Sequence, residues 1–214
     1  MATNNLLTQP TPHYHKFVDN QVLTDDYLNS VLDYLNHQDR LSRMLLHGVG
    51  VVCGLQISID ESNREIHLTD GVAVTTAGDL LKLGTKKYAG FKRFSDANVK
   101  YPFFTDDEGA TMELWELETD TSPSDVRPLS QFESTTDIDF KKAIAILYLE
   151  DYLGEEEDCS PVDCDTQGQP VVNQLRVLLI STENAQKIAE QDSIFSNLLQ
   201  GGSDFIVDEL YKEY

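Results

Sequence analysis

The residues best suited to chemistry lie in an acidic segment of the C-terminal half of the chain. Cys159 and Cys164 flank the run Ser-Pro-Val-Asp. Acidic side chains surround them at Glu155, Glu156, Glu157, Asp158, Asp163 and Asp165. Thiolates at this spacing can bind zinc or close a disulfide loop, but no second Cys/His pair lies nearby in the sequence to complete a tetrahedral site. The carboxylates could bind calcium, although they lack the regular spacing of an EF-hand loop. We expect a solvated loop with two free thiols, and a disulfide or a metal is the alternative.

No recognised catalytic motif occurs elsewhere in the sequence. It contains no Walker loop, Gly-x-Gly-x-x-Gly turn, Gly-x-Ser-x-Gly elbow or His-Glu-x-x-His helix. The histidines are scattered at His13, His15, His37, His47 and His67. Of these, His13 and His15 are close enough to suggest a ligand pair, and we expect them to be solvated or interface residues. We therefore predict a protein that is not an enzyme and has no catalytic residue, cofactor or metal site.

A long helix should organise the N-terminal part of the chain. Residues 1–22 show no apolar periodicity, so we predict an extended arm. We expect this arm to contact a neighbouring subunit, and docking on its own domain is the alternative. Thr24 is a suitable N-cap for a helix over about 25–47, and Gly48 can end this helix in the left-handed conformation. Its apolar residues recur at helical spacing and are Leu28, Val31, Leu32 and Leu35, followed more loosely by Leu41, Leu45 and Leu46.

Alternating apolar and polar residues predict strands after this helix. Val51 to Ile59 should form one half-buried strand, with Cys53 as a small core residue. The turns that follow are too short for crossovers, so we expect antiparallel returns. These strands are predicted at about 66–68, 72–74, 80–83, 112–118, 143–149 and 174–181. Ala143–Leu149 is a continuous apolar run, which is typical of a central strand covered on both faces.

The predicted fold class is therefore α+β, with a long N-terminal helix, a mainly antiparallel β domain and C-terminal helices. The arm at 1–22 precedes a domain at 23–181, which has insertions near 84–110 and 154–172. A helical segment at 182–214 should begin at Ser181 or Thr182, break at Gly201-Gly202 and end in a short amphipathic stretch.

Residues 84–110 hold the one stretch of the sequence that mixes basic and aromatic side chains. Nucleic-acid-binding proteins can show this pattern. We favour a loop whose aromatic side chains pack on the sheet while its lysines offset nearby carboxylates.

The overall charge limits the partners. Thirty-seven acidic residues against sixteen basic ones give the 214-residue chain a formal charge of −21, which repels phosphate backbones and anionic lipid surfaces. We expect neither nucleic-acid binding nor membrane insertion. No signal peptide is visible after Met1, so we expect synthesis in the cytoplasm, with an extracellular location as part of a released particle.

Two groups of motifs resemble tail and baseplate-associated proteins of phages and phage-like contractile injection systems. The first runs through Arg40–Arg43, Gly48–Leu55 and Ile66–Gly78, as a helix end, a Gly-Leu strand and a glycine-marked turn beside a Val-Ala strand. The second covers Ala145–Glu150, the Cys-Ser-Pro-Val-Asp-Cys stretch and Leu175–Ile180. Because these motifs consist mainly of glycines and apolar residues, the resemblance implies a scaffold of strands and turns and transfers no catalytic residue.

The resemblance implies a structural component of a contractile injection particle, such as a cap adaptor or a baseplate-associated protein, which acts by protein contacts. Its partners would be tube, sheath, terminator or baseplate proteins, and we expect a ring-forming homo-oligomer. Two other classes remain open. One is a carbohydrate-binding or adhesion module, which would be rich in strands and surface aromatics. The other is a metal-dependent hydrolase with its metal at Asp158, Asp163 or the two cysteines.

Overall fold

A computed structural model describes residues 14–60, 62, 64–94, 104–105, 111–154 and 170–191. The fold is α+β, as predicted. The helices are α1 (Asp25–Ser42), α2 (Phe132–Thr136) and α3 (Thr182–Gln191). The strands are β1 (Gly50–Gly54), β2 (Ile57–Asp60), β3 (Glu65–Leu68), β4 (Gly71–Val74), β5 (Leu80–Leu83), β6 (Lys86–Tyr88), β7 (Gly90–Arg93), β8 (Trp115–Glu118), β9 (Arg127–Pro128), β10 (Ala143–Leu153) and β11 (Val171–Ser181).

The chain divides into two compact units. Unit 1 comprises Met1–Ser58 and His67–Lys86, and unit 2 comprises Ile59–Ile66 and Lys87–Tyr214. Unit 1 contains α1 and a sheet with the strand order β1-β4-β5. Unit 2 contains a sheet with the order β10-β11-β8-β7-β9. Strands β2, β3 and β6 form a further three-stranded sheet in the order β2-β3-β6.

The predicted helix over 25–47 is confirmed, together with its N-cap. The Thr24 side chain accepts a hydrogen bond from the Tyr27 amide at 3.3 Å, and Asp25 and Asp26 lie in the first turn. Acidic residues at this end are favoured by the positive pole of the helix dipole. After α1 the chain continues through a π-helical turn at Arg43–His47. Gly48 ends the helix with φ +83° and ψ 175°, an extended ψ rather than the left-handed helical one that we predicted.

The short antiparallel returns of unit 1 are also confirmed. Gly50 pairs with Val74 at one end of the β1-β4 ladder, and Gly71 pairs with Leu83 at one end of the β4-β5 ladder. The turn predicted between Val74 and Leu80 is closed by the Thr75 amide, which donates to the Asp79 carbonyl at 2.9 Å.

The prediction of one strand from Val51 to Ile59 is wrong. The backbone reverses at Gly54 and Leu55, where φ is +65° and +54°, and the two resulting strands belong to different sheets. The alternating apolar pattern runs across this break, so the pattern does not indicate the turn. Cys53 is exposed rather than part of the core, because β1 is exposed along both of its faces.

The long hairpin of unit 2 is formed by β10 and β11. Its antiparallel register runs from Ala143 opposite Ser181 to Leu153 opposite Val171, so both strands are longer than predicted. Within the described strands β10 lies at the end of the sheet, which corrects the prediction of a central strand at Ala143–Leu149. A continuous apolar run shows that both faces of a strand are at least partly covered. It does not show how many hydrogen-bonded neighbours the strand has.

One face of this sheet packs an aromatic and aliphatic cluster beneath α3. Its buried members are Phe94, Phe104, Met112, Leu114, Leu178 and Ile180, with Ala185 and Ile188 of α3 packed against them. Helix α3 begins where predicted, because the Ser181 hydroxyl accepts a hydrogen bond from the Asn184 amide at 3.2 Å. The remainder of the predicted C-terminal helical segment lies outside the described residues.

The segment 84–110, which we predicted as a loop, and the segment 119–139, for which we predicted neither helix nor strand, both contain regular structure. Within 84–110 the chain forms β6 and β7, and the aromatic side chains that the structure describes there, Tyr88, Phe91, Phe94 and Phe104, are buried as expected. Within 119–139 it forms β9 and α2, whose Phe132 packs edge-on against Phe91 and Phe140. A helix of five residues is too short to show a helical apolar period, so sequence periodicity could not reveal α2.

Replacing Phe132 with Ala should lower the free energy of unfolding of unit 2 by about 3–5 kcal/mol, since deleting a buried ring leaves a cavity. The Phe132 side chain is 0% exposed. The single tryptophan, Trp115, lies 5.7 Å from the Phe91 ring, so its fluorescence during urea unfolding reports on this region. Tyr152, which is 46% exposed, gives a control variant, Tyr152→Ala, that should cost less than about 1 kcal/mol. Equal losses in the two variants would contradict the prediction.

Candidate interaction surface

Two arginines attach the end of α1 to the turn between β4 and β5. Arg40 Nε donates to the Ala77 carbonyl at 2.6 Å, and Arg40 Nη2 donates to Asp79 Oδ2 at 3.0 Å. Arg43 Nη1 donates to the Gly78 carbonyl at 3.1 Å. Gly78 must be glycine, because its φ is +81° and a Cβ there would lie 2.8 Å from Arg40. The two arginines therefore bond the backbone oxygens of this turn as well as its charged side chain, Asp79.

The other end of the β1-β4 ladder contains a close backbone contact between the two strands. A Cβ on Gly54 would lie 2.0 Å from the Asp70 carbonyl oxygen, and a Cβ on Gly71 would lie 2.4 Å from the Cys53 carbonyl oxygen. The Leu55 amide donates to the Asp70 carbonyl at 3.2 Å. Glycine at both positions is therefore a packing requirement. The segments that carry the first sequence resemblance therefore meet at the β4-β5 turn and along the β1-β4 ladder, through backbone contacts and arginine hydrogen bonds.

Helix α1 exposes its apolar stripe. No residue of α1, all of which the structure describes, is buried. Leu28 is 47% exposed, Leu32 is 63% exposed and Leu35 is 58% exposed. Their spacing of four and three residues places them on one side of the helix. An amphipathic helix of a globular protein normally buries such a stripe, so these three leucines mark the candidate interaction surface.

The neighbouring stripe of α1 is contacted by the segment that precedes the helix. The Tyr14 and Tyr34 rings lie 4.5 Å apart, and the His15 and Tyr27 rings lie 4.2 Å apart. This part of the predicted arm therefore packs on its own chain. His13 and the rest of residues 1–13 lie outside the described residues, and the contact of the arm with a neighbouring subunit stays a prediction.

Among the described residues of unit 2, a cluster of charged side chains links four adjacent strands. Arg176 Nη1 donates to both carboxylate oxygens of Glu116 at 2.8 and 3.0 Å, and Arg176 Nε donates to Glu150 at 3.2 Å. Lys92 Nζ lies 3.3 Å from Glu116 and 2.5 Å from Glu118. The hydrogen bond to Glu118 is the main reason that the pKa of Lys92 is raised. Because each of these carboxylates already bonds a cation, we assign the cluster to structure and not to acid-base catalysis.

Tyr88 lies beside this charged cluster with its side chain buried. Burial, together with the negative charge of Glu118, raises the pKa of Tyr88 to about 12. Both effects disfavour the phenolate. Tyr88 is therefore a neutral group of the fold at physiological pH.

A shallow cavity of about 310 Å³ also lies in unit 2. Leu129 and Phe140 contribute apolar walls, and Arg64, Glu133 and Lys141 contribute exposed charges. Its volume is at the lower end of the range for small-molecule sites. The Phe140 amide already donates to Glu133 Oε1 at 3.1 Å. We assign no binding role to this cavity, because its charged groups face solvent.

The sequence-based candidates for metal binding fall mainly outside the described residues. This applies to Cys159, Cys164, Asp158 and Asp163, together with the rest of the acidic segment at 155–169. Among the side chains that the structure does describe, no three His, Cys, Asp or Glu residues form a group that could hold a metal ion. In the same ranges, no helix is both long enough and apolar enough to cross a membrane.

Comparison with known proteins does not place the chain in a family. No protein-family model matches its sequence, and no curated protein matches it significantly. We did not identify α1 as an interaction surface from the sequence. The leucine spacing of α1 is the sequence signal for this surface, but the spacing does not reveal that the leucines are exposed.

Arg40→Ala should loosen the attachment of α1 to the β4-β5 turn. Hydrogen bonds to charged groups contribute roughly 1.5–3 kcal/mol, so we expect the amides of α1 to exchange hydrogen about tenfold or more faster. Mass spectrometry of exchanged peptides gives the measurement. Arg93→Ala is the control, because Arg93 is exposed and its ion pair with Glu113 is long, at 3.6 Å. Unchanged exchange in α1 of the Arg40 variant would show that the helix is held by other contacts.

The stability of unit 2 should fall between pH 10 and pH 12, partly through Tyr88. Its pKa is about 12 in the folded chain and about 10 when unfolded, so the folded state retains the proton over this interval. The contribution is complete below pH 10 and is lost as the pH rises towards 12. Tyr88→Phe should remove this dependence, which is of order 2 kcal/mol. Urea unfolding at a series of pH values tests this, with exposed Tyr152→Phe as the control. Identical slopes in wild type and Tyr88→Phe would refute it.

Proposed function

We propose that this protein is a structural component of a phage tail-like contractile injection particle, a cap adaptor or baseplate-associated protein that acts by protein contacts. Support comes from the resemblance of its helix, Gly-Leu strand and glycine-turn segments to tail and baseplate-associated proteins. In the folded chain these segments are held together at two places. Arg40 and Arg43 bond the β4-β5 turn, and Gly54 is in close backbone contact with Gly71. A helix attached rigidly to a sheet turn suits a subunit that holds its neighbours in position.

The exposed leucines of α1 are the observation that carries the proposal. Fully burying a leucine side chain stabilises a fold by about 1.5–3 kcal/mol. The single chain gains only part of this stabilisation from Leu28, Leu32 and Leu35, because about half or more of each side chain is exposed. In proteins, most of the stability of a helix comes from packing its amphipathic face rather than from helix propensity. A surface that contributes little to its own fold is available for contacts with another chain.

The proposed partners are other subunits of the particle, among them tube, sheath, terminator and baseplate proteins. A charge of −21 favours partners with basic surfaces and gives long-range attraction to them. It also opposes binding to nucleic acid and to anionic membranes. A closed ring of copies is the assembly that we expect, built by a head-to-tail contact between two different surfaces of the chain.

The burial of the aromatic side chains weighs against the carbohydrate-binding alternative. Tyr88, Phe91, Phe94 and Phe104 belong to the stretch richest in aromatics, and all four are buried. Sugar recognition by stacking needs an exposed ring face, so these four rings are not accessible to a glycan. The hydrolase alternative depends on Asp158, Asp163 and the two cysteines of the acidic segment, and elemental analysis for a stoichiometric metal tests it.

Particles purified from the organism that encodes this chain provide the test. We expect mass spectrometry to find the chain in the same fractions as tube and sheath subunits. In a strain carrying Leu28→Asp and Leu35→Asp, its amount per particle should fall about tenfold or more, because charge on the stripe opposes burial. Asn29→Asp with Asn36→Asp adds the same charge to exposed positions outside the stripe, and this control should be incorporated normally. Absence of the wild-type chain from the particles would overturn the proposal.

A further inference from the structure

The exposed stripe of α1 is symmetric about its own midpoint. Its apolar positions are Leu28, Val31, Leu32 and Leu35, so the intervals are three, one and three residues in either direction. Leu28, Leu32 and Leu35 are exposed, and Val31 is partly exposed at the edge that faces the Tyr27 and Tyr34 stripe. A pattern with this symmetry is complementary to itself when one copy is reversed.

We infer that this stripe binds the same stripe of a second copy of the chain, with the two α1 helices antiparallel about a two-fold axis. This arrangement places Leu28 level with Leu35 of the partner subunit, and Val31 level with Leu32 of the partner subunit. Each apolar residue thus meets an apolar residue, as a two-fold interface requires. The inference rests on the proposal that α1 acts by protein contacts, and it names the partner for that surface.

The charges of α1 are compatible with the antiparallel arrangement. In the same register, Asp25 and Asp26 lie level with Gln38 and His37 of the partner subunit, and Asp33 lies level with Ser30 of the partner subunit. No aspartate of the helix therefore opposes an aspartate. A parallel pair would instead bring Asp25 and Asp26 of both copies together at one end. Opposed helix dipoles add a further preference for the antiparallel pair.

The side of the helix next to the stripe is already occupied in the single chain. Tyr14 and His15 contact Tyr34 and Tyr27, so the preceding segment covers that side and leaves the leucines accessible. At the end of α1, Arg40 and Arg43 bond the β4-β5 turn and Asp39. The second copy therefore has one apolar strip of α1 to occupy, bordered by groups that already have partners.

The size and charge of the contact predict its strength and its salt dependence. An 18-residue helix gives a small interface, and interfaces that bury less than about 1,200 Å² are typical of weak, transient complexes. We therefore expect dissociation constants in the micromolar range. Two chains of charge −21 repel each other, and salt screens this repulsion. Added salt should tighten the dimer.

Sedimentation velocity of the full-length protein over a range of concentrations tests the association. We expect a monomer-dimer equilibrium that shifts towards dimer as salt is added. Leu32→Asp should weaken it at least tenfold, because it places two like charges at the centre of the contact. Asn29→Asp makes the same charge change at an exposed position on another side of α1 and should leave the equilibrium unchanged. A wild-type chain that stays monomeric at high micromolar concentration and high salt would overturn the inference.

Disulfide trapping tests the antiparallel orientation in a background with Cys53, Cys159 and Cys164 replaced by Ser. Leu28→Cys protein is mixed with Leu35→Cys protein and oxidised. The antiparallel pair should trap the mixed dimer in clear excess over either homodimer, whereas homodimers in excess would contradict it. Both of these experiments use the purified chain.

The proposed function and this inference can fail separately. If the chain dimerises in solution but is absent from purified particles, the proposed function is wrong and the inference stands. If the chain is present in particles but does not self-associate, this inference is wrong and the proposed function stands.

Discussion

The attachment of α1 through Arg40 and Arg43 is the constraint on which the arrangement of unit 1 depends. Helix α1 buries no residue, so its position cannot be set by a packed apolar face. Two guanidinium groups that bond the backbone oxygens of one turn set it instead. These bonds require the turn to have one conformation, and Gly78 permits that conformation because it has no Cβ. The attachment therefore requires arginines that can reach the turn at positions 40 and 43, and glycine at position 78.

This way of holding a helix has a consequence for function. Hydrogen bonds at one end of α1 fix its position while leaving the leucine side of its first turns uncovered. The leucines of α1 are then presented by a helix whose position is fixed at one end. Such a helix loses less conformational entropy on binding than a flexible segment does. The two functional proposals both use this property of unit 1.

Unit 2 has the organisation of a conventional folded core. Its sheet packs aromatic side chains on both faces, including Phe94 and Phe104 on one side and Phe91 and Phe132 on the other. Arg176 and Lys92 connect the strands at the polar end of one face. These ion pairs are matched within the sheet, so the charged side chains of this cluster contribute to the fold.

The sequence by itself determined the elements whose signals are local. The Thr24 cap, the leucine period of α1, the short antiparallel turns and the Ser181 start of α3 each depend on a few neighbouring residues. Tertiary structure decided the rest, because burial and strand neighbours depend on residues far away in the sequence. The exposure of Cys53, the end position of β10 and the short helix at Phe132 have no local signal. The leucine stripe is the clearest case: its spacing is visible in the sequence, but that it faces solvent instead of a core depends on what packs against α1.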